Sequence, residues 1–373
     1  MNKKILFITG TRADFGKLKP LMYECGSRFD THIFVTGMHM LAKYGSTYKE
    51  VYKSGFNNIY QFVNQNVDDK MDTILAKTII GLSDFVTELK PDVIFVHGDR
   101  VEALASAIVG SLNNIKVAHI EGGEVSGTID EHIRHSVSKL AHIHFVCNEQ
   151  AKKRLIQLGE LEQYIFPIGS SDLDVMISDK LPTLEEVKSW YNIEFEEFGI
   201  VLFHPVTTAV DTLQDETNIL INSLKKSGKQ YVVIYPNNDH GSHFILSAYD
   251  ELKNNKNFIV IPSMRFEFFL TLLKYSHFMI GNSSAAVREA PFYQVPSINI
   301  GTRQHSRAQS KSILNVAMNE DEIIKSIKRI NSGDITVEPN DEFGDGRSVE
   351  KFLEEITKES FWQIPVQKIF NDI

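Results

Sequence analysis

The chain has 373 residues, of which 42% are hydrophobic and 23% charged, and its formal net charge is −9. That length exceeds one typical hydrophobic core and predicts two domains, while the composition is that of an ordinary globular protein. The acidic balance excludes the basic footprint of a general nucleic-acid binder, and only two cysteines, Cys25 and Cys147, exclude a disulfide framework and fit a reducing, cytoplasmic setting.

The first residues run straight into Ile5-Leu6-Phe7-Ile8. Such a short apolar run makes a core strand and is too short for a signal peptide or a membrane span. Residues 4–9 are predicted as that strand, 10–16 as a tight loop, and a helix follows from about Lys17 with Pro20 in its first turn. A second strand covers 31–36, then come the Gly37-Met38-His39-Met40 loop and a polar segment to about 70. An amphipathic helix spans 71–89. The strand 91–96 ends in His97-Gly98-Asp99-Arg100, and an Ala-rich helix covers 101–112. The apolar run Ile115–Ile120 reads as a buried central strand, followed by a helix at 133–142, a strand at 143–147 and a helix at 149–158. A second series has strands at 200–203, 231–235, 258–261, 277–280 and 295–300. Its helices fall at 213–226, 242–253 and 266–275, and Gly281-Asn282-Ser283-Ser284 opens another through Glu289. A final helix is expected at 347–358. Alternation of this kind predicts βαβ units and parallel sheets. The expected fold class is α/β, two Rossmann-like doubly wound domains facing a cleft.

Polar residues collect where these strands end, which is where open α/β sheets hold ligands. Gly10-Thr11-Arg12-Ala13-Asp14-Phe15-Gly16-Lys17 offers helix-start amides and two cations to an anion. It is neither G-x-G-x-x-G nor a P-loop, so dinucleotide and ATP-type chemistry lose support; the alternative is a plain turn with Arg12 paired to Asp14. Asp99 follows one buried strand, and Glu121, Glu124 and Asp130 follow the next. Converging carboxylates separate their pKa values into a proton donor and an acceptor; taken singly, each also suits a helix cap. A metal held with His119, His132 or His135 lacks any H-E-x-x-H or paired-cysteine spacing, and none is expected. His204 ends a strand and suits proton transfer. Gly281–Glu289 offers amides and hydroxyls to a phosphate and a carboxylate to ribose, and Arg303 adds charge or stacks on a base.

With these residues in place the chain resembles the UDP-N-acetylglucosamine 2-epimerases, and within them the hydrolysing branch that makes N-acetylmannosamine for sialic acid synthesis. The segments are TRADFGKLKPL (11–21), TGMHM (36–40), HGDR (97–100), HIEGGEVSGTIDEHIRH (119–135), HPVTT (204–208), YPNND (235–239), GNSSAAVREAP (281–291) and GTRQ (301–304). The resemblance implies the glycosyltransferase-B architecture: an acid-base domain over 1–170, a nucleotide-binding domain over 171–355, and a tail, 356–373, packing back on the first domain. It implies Asp99, Glu121 and Asp130 as acid-base carboxylates and His204 as the group assisting departure of the diphosphate. Arg12, Lys17, His39, Arg134, Asn237, Ser283, Ser284, Glu289 and Arg303 are the implied substrate-binding residues. Non-hydrolysing relatives carry Glu where Asp130 stands, and bind a regulatory sugar nucleotide near the His39 loop. The implied partners are UDP-N-acetylglucosamine and UDP, with no nucleic acid or membrane, in a homo-oligomer, dimer or tetramer; no cofactor is implied. The competing expectations are the same chemistry on a nucleotide-linked 2,4-diacetamido-trideoxyhexose of the legionaminic acid pathway, a retaining glycosyltransferase, and a non-catalytic sugar-nucleotide sensor.

Overall fold

Runs of Ile, Val and Phe, closed by Gly, Asn or Asp, build strands that are buried on both faces. The structure, a computed structural model, describes residues 3–67, 69–304 and 310–372. It divides into two units, one of residues up to Glu124, Asp130–Ser178 and from Glu342 on, the other of Val125–Ile129 and Asp179–Asp341.

In the first unit β1 (Lys4–Thr9), β2 (Asp30–Val35), β3 (Ile59–Gln61), β4 (Val93–His97), β5 (Lys116–Ile120), β6 (Ile143–Val146) and β7 (Ile165–Pro167) form a parallel sheet. Its order is β3-β2-β1-β4-β5-β6-β7. In the second, β8 (Gly199–Leu202), β9 (Tyr231–Ile234), β10 (Phe258–Ile261), β11 (Phe278–Gly281), β12 (Ser297–Ile300) and β13 (Ile313–Val316) are ordered β10-β9-β8-β11-β12-β13, again parallel. Both are the Rossmann-like doubly wound order expected from the sequence. In each sheet the winding reverses beside its first strand, so the carboxyl ends of β1 and β4, and of β8 and β11, are the switch points.

The first core packs Phe7, Phe95 and Phe145 against Phe352, Ile356 and Phe361 from the C-terminal segment. The Phe352 ring lies 4.9 Å from that of Phe145, and the helix that carries it is Ser348–Ile356. Among the described residues no helix is long and apolar enough to cross a membrane.

Several boundaries differ from expectation for local reasons. The stretch 10–16 is not a loop: the helix runs Arg12–Gly26, because Thr11 and Asp14 form a capping box. Pro20 therefore lies in the helix interior, not in its first turn. The polar segment before residue 70 holds β3 and a helix, Tyr48–Lys53. The helix after β5 starts early, at Ile129, which puts Asp130 in its first turn. The stretch after Gly281 is a 3₁₀ turn, Ser284–Ala286, and a short helix, Glu289–Phe292, not one continuous helix. Val295–Ile300 is not the last strand, since β13 and the helix Glu320–Asn331 follow it.

Gly281, at the end of β11, has φ +140, and a Cβ there would lie 2.1 Å from the Leu202 carbonyl oxygen of β8. Gly281→Ala is expected to cost about 1–3 kcal/mol through backbone strain alone, and more through the backbone clash. A Tm equal to the wild type's in a thermal melt would refute this account of the β8–β11 junction.

Candidate active site

The candidate residues of the first unit form two linked groups beyond β4 and β5. One is built on Arg134. Asp130 and Arg134 are four residues apart on the helix Ile129–Leu140 and so share a face. The Arg134 side chain is 1% exposed; its Nη2 donates to the Asp99 carboxylate and its Nη1 to the Glu124 carbonyl oxygen at 3.1 Å. Burial works against its charge, but Asp99, Glu124 and Asp130 outweigh that and raise its pKa. Asp99 itself is 24% exposed, so a carboxylate with a fixed partner keeps access to solvent.

The second group is built on Glu121. This residue directly follows β5 with φ +63, a left-handed conformation that costs a non-glycine residue roughly 1–2 kcal/mol. Strain of this sort marks positions whose side-chain direction matters. Here it aims a buried carboxylate at Ser170, which donates to Oε1, and at Lys17. Lys17 Nζ lies 3.6 Å from Glu121 Oε1 and 2.8 Å from Asp172 Oδ2. His97 Nε2 stands 3.4 Å from Glu121 Oε2. The carboxylates of Glu121 and Glu124 and the Cys147 sulfur lie within 4.8 Å of one another, the one such donor grouping among the described residues. The Lys17 ammonium opposes a cation there.

Other candidates lie elsewhere. Arg12 donates to Glu50 Oε1 at 2.5 Å and does not pair with Asp14 as the alternative had it. The amides of Gly10 and Thr11, offered by the sequence to an anion, donate instead to Asp14 Oδ2 at 3.0 and 3.1 Å. His39 is fully buried between Thr9 and Thr47, whose hydroxyls are 3.0 and 2.6 Å from its two ring nitrogens. Burial and the neighbouring Arg12 push its pKa down to about 3, so the ring is neutral. His119 is likewise occupied, by Ser138 at 3.0 Å and the Gly98 carbonyl at 2.8 Å. Its role is to brace the turn before Asp99.

The second unit gathers its candidates beyond β8, β9 and β11. Asn282 grips both backbone groups of His204, accepting from its N–H at 2.7 Å and donating to its carbonyl at 2.9 Å. The Asn237 N–H donates to His204 Nδ1 at 3.1 Å. An accepting Nδ1 leaves the proton of the neutral ring on Nε2. The Asn282 carbonyl accepts from Arg303 at 3.2 Å and from Gln304 at 3.1 Å. Ser283 caps the turn Ser284–Ala286, and Glu289 is buried at the start of its short helix. The Asn282 clamp, the Lys17–Asp172 pair and the Ser170 contact were not foreseen. Asn282 sat within a motif already singled out; Ser170 and Asp172 gave no sequence signal, because they meet Glu121 and Lys17 only through the fold.

Residues 23–357 match the UDP-N-acetylglucosamine 2-epimerase family. The chain is 48% identical to the UDP-N-acetylglucosamine 2-epimerase of Neisseria meningitidis serogroup B, over 100% of this chain and 99% of that one. It is 32% identical to the UDP-N,N'-diacetylbacillosamine 2-epimerase (hydrolyzing) of Legionella pneumophila, over 94% of each. A crystal structure of the Methanocaldococcus jannaschii UDP-GlcNAc 2-epimerase in complex with UDP-GlcNAc and UDP shares the fold, with TM-score 0.81 and 24% identity over 95% of this chain and 99% of that one. The chain is an enzyme of the UDP-N-acetylglucosamine 2-epimerase family.

Proposed function

We propose that the enzyme hydrolyses UDP-N-acetylglucosamine with inversion at carbon 2, releasing N-acetylmannosamine and UDP. The hydrogen at carbon 2 has no adjacent carbonyl and is not acidic, so direct abstraction fails. Departure of UDP from carbon 1 gives an oxocarbenium-like centre that acidifies it. One of Asp99, Glu121 and Asp130 removes the proton, giving 2-acetamidoglucal. Water then adds at carbon 1 while a proton returns to carbon 2 from the other face. His204, with its proton on Nε2, is suited to hydrogen-bond the departing diphosphate, and Ser283, Ser284, Glu289 and Arg303 to bind phosphate and ribose. Arg12, Lys17, Arg134 and Asn237 complete the proposed substrate-binding set; His39 enters it by fixing Thr9 and Thr47.

What carries this reading is the grouping of carboxylates about Arg134 and Lys17 in a chain 48% identical, end to end, to a UDP-N-acetylglucosamine 2-epimerase. The released amino sugar is the precursor that sialic acid synthesis consumes, and the proposal places the reaction in the cytoplasm, in a homo-oligomer. The same chemistry on a diacetamido sugar nucleotide is the second reading, favoured by the likeness to the Legionella protein.

The test is proton NMR in heavy water with UDP-N-acetylglucosamine alone. Free UDP together with N-acetylmannosamine deuterated at carbon 2 is the expected result. Product without that label would sink the elimination route. UDP-N-acetylmannosamine would mark a non-hydrolysing epimerase, and turnover of only the diacetamido substrate would select the second reading.

A further inference from the structure

Behind Glu121, at the switch point between β1 and β4, the first unit encloses a small pocket lined by Gly10, Asp14, His97, Arg100 and Glu102. None of Asp14, His97 and Glu102 is among the residues proposed above to bind or transform the substrate, yet they crowd one another: His97 favours and Glu102 opposes the charge on Asp14. Asp14 is satisfied by Thr9 and two backbone amides. Glu102 is not. It is 3% exposed, its Oε1 has only a long 3.4 Å contact from Asn64, and its Oε2 has no hydrogen-bond partner among the described residues.

A buried carboxylate oxygen without a donor is destabilising and calls for an explanation, which a water, an ion or a role in catalysis supplies. The backbone makes room for this one. A Cβ on Gly37 would lie 2.8 Å from Glu102 Oε1, and one on Gly10 3.3 Å from Oε2. On the other side, His97 Nε2 is also buried without a hydrogen bond among the described residues, 3.4 Å from Glu121 Oε2. A polar pocket thus joins an unsatisfied carboxylate to an imidazole that touches a candidate acid-base carboxylate.

We propose that His97 and Glu102 form a proton relay behind Glu121, with Glu102 as its buried reservoir. This role rests on the epimerase reading, whose two proton transfers leave one carboxylate protonated and another ionised after each turnover. Restoring Glu121 requires one proton to move. The Glu121 carboxyl gives it to the His97 imidazole, which becomes imidazolium. His97 passes it through pocket water to the Glu102 carboxylate, and Glu102 returns it to solvent; an O–H bond breaks at Glu121 as an N–H bond forms on His97, then an N–H bond breaks on His97 as an O–H bond forms at Glu102, with no change of oxidation state. The relay runs in reverse when Glu121 must be recharged with a proton. Besides Glu121, the groups facing His97 are Asp14, Glu102, His119 and Arg100. His119 is fixed as a neutral ring, since burial pushes its pKa down to about 3.

Glu102→Gln keeps the shape of the side chain and replaces a poorly partnered carboxyl with a neutral amide, so its Tm should equal or exceed the wild type's. Its kcat on UDP-N-acetylglucosamine should fall about tenfold with KM within about twofold. The pH profile of kcat should change, and the solvent deuterium effect on kcat should rise. His97→Asn should lose more turnover, and added imidazole should restore part of it. A Glu102→Gln enzyme with unchanged kcat and pH profile overturns the relay, as does one whose loss tracks a lowered Tm with the profile unmoved. A wild type inactive on both sugar nucleotides strikes down the epimerase reading and the relay together, whereas an active wild type isolates the relay.

Discussion

Glu121→Gln and Asp99→Asn each lower turnover of UDP-N-acetylglucosamine by about a hundredfold or more, with UDP affinity kept within about a factor of two. The amide in Glu121→Gln still accepts from Ser170, and Lys17 keeps its 2.8 Å partner Asp172, so the fold loses little while proton transfer at that position stops. Asp99→Asn does more than remove a titrating group. It takes one carboxylate from a guanidinium that is 1% exposed. Breaking a fully buried pair costs about 3–5 kcal/mol; Asp99 is 24% exposed, and Glu124 and Asp130 still stabilise the Arg134 charge, so the penalty falls below that range. The two variants therefore separate catalysis from stability: both are slow, and only Asp99→Asn melts early. UDP affinity, measured by calorimetry, is the control. A non-catalytic sensor would keep its response in both variants, and a variant with wild-type turnover would remove that carboxylate from the mechanism.

What was legible in the sequence followed from burial. Strands such as Phe7-Ile8 or Val93–Val96 are covered on both faces, so their apolar runs are unbroken and easily seen. The edge strand β3, three residues with a half-exposed Ile-Tyr-Gln, carries no such run. Neither does β13, where Asn315 interrupts Ile-Leu-Asn-Val. The helix start at Arg12 was written in Thr11 and Asp14, but the glycines at 10 and 16 suggested a loop, and the capping box decided. The same held for the site. Asp99 and Glu121 were visible because a carboxylate directly after a buried strand is placed by the strand. β4 and β5 are hydrogen-bonded neighbours, which brings their ends together. The contacts Lys17–Asp172 and Glu121–Ser170 join distant parts of the chain, and no local pattern encodes them. His39 looked like a loop residue open to ligand; the fold turned it inward onto two threonines.

Glu160→Gln is expected to remove on the order of 3 kcal/mol of stability near pH 7, and the deficit should vanish as the solution is acidified. Glu160 is 3% exposed and collects the ends of three elements. His144 Nε2 on β6 lies 3.1 Å and Lys368 Nζ in the C-terminal segment 2.5 Å from its Oε2, while Lys139 Nζ lies 3.0 Å from its Oε1. Burial raises its pKa, but the hydrogen bonds from His144 and Lys368 outweigh burial and hold it at about 2, well below the usual glutamate value. A carboxylate depressed in the folded state stabilises the fold above its unfolded pKa. That stability is lost as pH falls from about 5 toward 2. His144 pulls in the same direction: burial lowers its pKa, its Nδ1 has no hydrogen bond among the described residues, and the neutral ring donates from Nε2, so acid favours the unfolded chain, where the ring can charge. Lys368 also donates to the carbonyls of Ala141 and Lys139 at 2.6 and 2.8 Å, so it closes the carboxyl end of the helix that carries Asp130 and Arg134. The Val366 carbonyl meets His142 Nε2 at 2.9 Å, and the Asn371 amide donates to Gly159 at 3.0 Å. These contacts join the core packing of Phe352, Ile356 and Phe361 in holding the segment, and Glu160 supplies the carboxylate among them. At about 2–4 °C per kcal/mol for a domain of this size, Tm at pH 7 should fall by roughly 6–12 °C. The gap to wild type should narrow steadily in melts at pH 5, 4 and 3. A gap that stays constant across that window would assign the loss to packing, and the charge on Glu160 would then have no part in holding the helix of Arg134 in place.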